Sequence, residues 1–78
     1  MVVTETLAQL RRHARAIVVG FVEDDEESVR KLLAIGVVPG DHLVVLATFP
    51  ACLFELGSAS YAVDRELASK ILVKLETP

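Results

Sequence analysis

The period of apolar and polar positions changes several times along this chain, and each change marks a boundary. Ala16-Ile17-Val18-Val19-Gly20-Phe21-Val22 is a short, β-branched apolar run, which predicts a largely buried strand. Gly20 within it predicts a bend or bulge. After the acidic run Glu23–Glu27, the spacing of Val29, Leu32 and Leu33 predicts a helix over 25–35 that buries those three on one stripe. Gly36 supplies the left-handed residue that ends it. Pro39-Gly40 then suits a type II turn, with Pro fixing φ at the second position and Gly taking the positive φ that follows.

Strands are predicted over His42–Phe49, closed by Pro50, then over Ala51–Leu56, Ser60–Val63 and Ile71–Leu75. Gly57-Ser58 separates two of them, and Asp64 caps a helical turn over Arg65–Lys70. Near the start, Thr6 caps a turn that packs Leu7 and Leu10 onto the core, after a loose segment Met1–Thr4. One helix among about five short strands indicates a mainly β domain: a small, partly open barrel spanning residues 1–78.

Alternation sorts the faces. Ile71, Val73 and Leu75 point inward because Lys74 must face water; Cys52, Phe54 and Leu56 point inward because Glu55 marks the outer parity. Leu43, Val45 and Ala47 are inward in the strand from His42. Val44, Leu46, Leu53 and Leu72 are left outside. They form either an exposed apolar patch fit for a partner or a surface covered by the helix or the N-terminal turn.

The chain has 78 residues, enough for one domain. Hydrophobic residues make up 53% of it and mean hydropathy is +0.49, high for so small a domain. Either the core is densely filled or some apolar surface is kept for a partner. A formal net charge of −3 argues against nucleic acid, since the basic cluster Arg11, Arg12, Arg15 is short and lacks aromatic neighbours. A lone cysteine, Cys52, permits no internal disulfide and fits a reducing compartment. No signal peptide or spanning segment is visible, so a cytoplasmic protein is expected, without membrane insertion.

The acidic run invites a divalent-metal reading, together with His42 and Cys52. Helix chemistry explains the run better: Asp24 as N-cap with Glu27 in a capping box, acids at the positive end of the dipole, and i,i+4 pairs Glu26–Arg30 and Glu27–Lys31. His42 reads as solvated, and Cys52 as a small buried hydrophobe. No glycine-rich phosphate loop, paired metal ligands or nucleophile elbow is present, so neither an enzyme nor a cofactor is expected, and no metal ligands are assigned.

The order of these features resembles the FeoA family. The order is Leu7-x-x-Leu10, an apolar strand, a helix ending Leu33-x-x-Gly36, then x-x-Pro39-Gly40 followed by Leu43 and Val45. Pro50, Gly57 and the ending Ala68-x-x-Ile71-x-Val73 complete it. It is similar also to the SH3-like C-terminal domain of DtxR-type metal-dependent repressors. Two departures stand out. The family's glycine before the first strand is missing around Arg12-His13-Ala14. Its Gly-Asp-Pro loop is replaced by the apolar run Phe49-Pro50-Ala51-Cys52-Leu53, which shortens the hairpin. The resemblance implies an SH3-like barrel acting as a non-enzymatic cytoplasmic accessory of bacterial ferrous iron uptake. Its implied partner is the cytosolic GTP-binding region of a FeoB-like membrane transporter. A metal-binding regulatory or sensor domain, as in the repressors, and a homo-oligomeric interaction module are the alternatives.

Overall fold

Each local device in the sequence closes a hydrogen bond that the backbone would otherwise leave open. In the structure, a computed structural model that describes residues 4–76, Asp25 caps α1 (Glu26–Ile35). Its carboxylate accepts from the N–H groups of Glu27 and Ser28 and, at 2.7 Å, from the Ser28 hydroxyl. The cap is therefore one residue later than expected. Asp24 is freed for an ion pair with Lys70 at 2.9 Å, tying the helix approach to the turn before the last strand. Of the two acid–base pairs expected on the helix, Glu27–Lys31 closes to 3.7 Å and Glu26–Arg30 does not close.

Gly36 ends α1 at φ 105°, and its N–H and that of Val37 bond back to Leu33 and Leu32. The Pro39-Gly40 turn forms with Gly40 at φ 98° and Asp41 N–H bonded to the Val38 carbonyl. The turn is stitched to the neighbouring strand, since Gly40 donates to Val18 O and Val18 donates to Asp41 O.

The strands are β1 (Glu5–Thr6), β2 (Arg15–Phe21), β3 (His42–Ala47), β4 (Cys52–Leu56), β5 (Ala59–Val63) and β6 (Ile71–Leu75). They form one antiparallel sheet in the order β1-β6-β2-β3-β4-β5. The end strands do not pair with each other, so the barrel stays partly open. Six strands form where about five were expected, because β1 is only two residues long and is defined by its pairing with β6. A 3-10 turn (Leu7–Gln9) follows it, with the Gln9 side chain accepting from Thr6 N–H at 2.8 Å. The short helix α2 (Arg65–Ala68), capped by Asp64 through Leu67 N–H, packs on this turn. The segment Met1–Val3, expected to be loose, lies outside the described residues.

A single core cluster unites the elements: Leu7 and Leu10 from the N-terminal turn, Leu32 from α1, and Leu43, Val45, Cys52, Phe54, Ile71 and Val73 from the sheet. Five side chains depart from expectation. Leu33 is 45% exposed, because α1 buries only Ser28 and Leu32 fully; Val29 is half-buried. Leu75 is 42% exposed at the end of β6, and Val19 is 47% exposed where the β2 register shifts beside Gly20. The Gly20 bulge thus forms, and it turns outward one residue of a run expected to be buried. Ala47 leaves the inner face, because a second shift between Val45 and Ala47 sets it opposite Leu53. At the start of β2, where the family glycine is missing, His13 itself takes the left-handed conformation at φ 75°. Its N–H bonds the Val45 carbonyl at 2.7 Å.

Candidate protein-binding surface

The β3–β4 hairpin carries the residues singled out for partner binding. Val44 is paired with Arg15 on one side and Glu55 on the other, so an apolar side chain lies between opposite charges on the outer face. Leu46 occupies the β3 bulge, and Leu53 pairs with Ala47 across the ladder and with Ala62 on β5. All three are half-buried and not fully exposed. Leu72 does not join them: it lies two strands away on β6, opposite Gly20 and Thr6. The fold-defining Gly36, Pro39 and Gly40 stand at the entrance to β3 and set its direction.

The structure adds a residue that face assignment missed. Phe49, in the link between β3 and β4, is 84% exposed, the highest value among the exposed large apolar side chains of the described residues. It stands at the tip of the same hairpin as Leu46 and Leu53. Its signal was present in the sequence as an aromatic next to Pro50, where alternation has already ended and no neighbour can cover it. An aromatic ring in water is a ready anchor for a protein partner.

Beside Val44 the surface opens into a depression of about 700 Å³, bordered by Arg15, Asp41, His42, Glu55, Tyr61 and Glu76. His42, expected to be merely solvated, has its ring Nδ1 paired with the Glu76 carboxylate. No local pattern predicts that contact. It arises because β2 lies between β3 and β6, bringing residues 34 positions apart together.

The residues of the metal reading do not meet. Cys52 points into the core, 3% exposed, and burial pushes its thiol above the usual range, which keeps it protonated and unlike a ligand. The acidic run is spent on the start of α1 and the Lys70 pair. Hydrogen bonds from Ser28 hold the Asp25 carboxyl below the ordinary carboxylate range. Among the described residues no group of three or more His, Cys, Asp and Glu side chains converges on one point. No helix among them is long and apolar enough to cross a membrane.

Solved structures agree with this architecture. A FeoA-like protein from Clostridium acetobutylicum superposes with a TM-score of 0.89 at 21% identity, covering 100% of this chain and 93% of that one. A Stenotrophomonas maltophilia FeoA, solved with zinc and described as a prokaryotic SH3 domain protein and candidate ferrous iron transport activating factor, gives 0.75 at 23% identity. It covers 87% of each chain. A manganese-dependent transcriptional repressor gives 0.88 at 22% identity, over 97% of this chain but only 44% of the repressor. At these identities the likeness speaks for a shared SH3-like fold. No curated sequence matches the chain. The FeoA domain model matches residues 5–75, from β1 to the end of β6, and the chain therefore belongs to the FeoA domain family, a family of non-enzymatic accessory domains.

Proposed function

We propose that this protein is a cytoplasmic accessory of bacterial ferrous iron uptake. It works as one domain by binding the cytosolic GTP-binding region of the membrane iron transporter. Membership of the FeoA family supports the pathway. The observation that carries the binding mode is the β3–β4 hairpin, with Leu46 and Leu53 half-buried near a tip where Phe49 is 84% exposed. Val44 extends the apolar surface toward Arg15 and Glu55, whose charges give the contact orientation as well as area. Docking that covers the Phe49 ring removes a large apolar area from water at little cost, because a two-torsion side chain loses little freedom.

The test is co-purification of the full chain with the soluble GTPase region of the transporter encoded in the same organism. Association is expected, and Phe49→Ala and Leu46→Glu should each weaken it by about tenfold or more, as truncated interface anchors do. Circular dichroism must show that both variants still fold. Absence of association, or association that neither variant changes, overturns the reading.

A further inference from the structure

β5 ends the sheet, and its free side lacks the usual protection. The two-residue turn Gly57-Ser58 makes Leu56 and Ala59 the closing pair of the β4–β5 hairpin. Hydrogen-bonded pairs alternate along an antiparallel ladder, so Ala59, Tyr61 and Val63 bond β4. The N–H and C=O groups of Ser60 and Ala62 therefore point off the sheet. Both residues are exposed, and among the described residues no backbone hydrogen bond outside the ladders uses these groups. The strand Ala59-Ser60-Tyr61-Ala62-Val63 carries no charge, proline or bulge, the devices that keep edges from accepting another strand.

An apolar groove of about 380 Å³ runs between this edge and the second half of α1, lined by Leu32, Ala34, Ile35, Ala62, Val63 and Leu67. It is open to solvent, with Ile35 39% exposed. A strand laid along β5 would alternate its side chains between the two faces. Those on the face of Tyr61 and Val63 would enter the groove. The groove is also charged at one end. Lys31 borders both it and a neighbouring depression bordered by Asp25, Glu27, Asp64 and Glu66. Lys31, together with Lys70 within electrostatic range of Asp25 and Glu66, faces these four carboxylates, so the end near the C-terminus of β5 keeps an excess of negative charge.

We propose that β5 and α1 form a strand-addition site for an extended segment of a partner protein. The segment would carry an apolar side chain for the groove and a Lys or Arg for the carboxylates. Ser60 and Ala62 supply main-chain hydrogen bonds that accept any sequence; the groove and the acidic end supply selectivity. The site adjoins the β3–β4 hairpin, where Leu53 lies opposite Ala62, but it uses the free side of β5 and stands whether or not that hairpin docks on a transporter.

The probe is a synthetic peptide, acetyl-Lys-Val-Thr-Leu-Thr-Val-Lys-amide, whose alternation and symmetric lysines serve either strand direction. Titrated into the ¹⁵N-labelled full chain, it should give saturable shift changes centred on the amides of Ser60, Ala62 and Ile35. Ala62→Pro removes an outward N–H and Ile35→Ser removes one apolar wall. Each should weaken binding about tenfold, and replacing both peptide lysines by glutamate should do at least as much. If Ala62→Pro does not fold, Ile35→Ser and the glutamate peptide carry the test. No saturable binding at millimolar peptide, equal binding by the glutamate peptide, or shifts confined to the Phe49 hairpin overturns the proposal. So does a sedimentation mass showing a dimer whose β5 amides are protected, since the edge is then occupied by a second copy.

Discussion

Leu32→Ala removes an α1 side chain with 0% exposure, whereas Leu33→Ala, one residue on, trims a side chain that is 45% exposed. A helix stripe of Val29, Leu32 and Leu33 would make the two changes comparable. The structure makes them very different. Truncating a fully buried Leu costs about 2–5 kcal/mol through lost burial and the cavity left behind. An exposed one costs about 0.5 kcal/mol or less beyond its share of remaining contacts, so Leu33→Ala should stay under about 1 kcal/mol. A domain of this size has about 4–12 kcal/mol in total. Leu32→Ala therefore removes a large part of the stability, and near the lower bound it unfolds the protein. Urea titration followed by circular dichroism separates the cases. With a slope of about 1 kcal/mol/M, the midpoint should fall by about 2 M or more for Leu32→Ala and by less than about 1 M for Leu33→Ala. Midpoints that agree within about 0.5 M would refute the account, because they would mean that α1 is held by the stripe and not by a single anchor.

The turn into β3 allows a second test. Gly36→Ala and Gly40→Ala should each cost about 1–2 kcal/mol, the strain of an L side chain at positive φ. A Cβ on Gly36 first meets Tyr61 Oη at 3.4 Å, an ordinary contact, and one on Gly40 meets nothing within 4 Å. The two losses should therefore match, and Tyr61→Phe should not relieve the first; relief would place the cost in crowding and not in the backbone. The Asp25 cap gives a pH test. Its carboxyl lies below the ordinary 3.8, so its contribution is complete above that value and is lost as pH falls through the lower folded-state value. Asp25→Asn keeps an acceptor but cannot titrate. The stability difference between wild type and variant should shrink as pH is lowered from about 5 to below about 3. A constant difference would refute the assignment.

Much of the fold was legible because its signals are local. Gly36, the Pro39-Gly40 turn, Asp64 and the Leu7/Leu10 pair each act within a few residues, and each does in the structure what its neighbours in sequence imply. The contacts that could not be read join distant segments. β1 exists only because β6 lies beside it, and Glu76 reaches His42 only because β2 lies between their strands. The cap moved from Asp24 to Asp25 for a similar reason. Asp25 is as able an N-cap residue as Asp24 although Ser28 and not Glu stands three residues on, and Asp24 instead pairs with Lys70, 46 positions away.

The candidate interface shows the same limit at finer scale. Strict alternation along β3 puts Ala47 inside with Leu43 and Val45, but a register shift after Val45 turns it to the outer face opposite Leu53. An extra residue in one strand bends it and increases its twist, and the residues beyond change face. Leu46 sits at that bend. The bulge thus does two things that alternation alone forbids. It brings Ala47 and Leu53 onto one surface, and it carries β3 into a hairpin tip where Phe49 has nothing to pack against. The apolar surface is therefore concentrated toward the tip and not spread along the strand. In the proposed docking, Val44, set between Arg15 and Glu55, would orient the partner, while Leu46, Leu53 and Phe49 would supply most of the area covered. Substitution of Val44 should accordingly weaken partner binding less than substitution of Phe49.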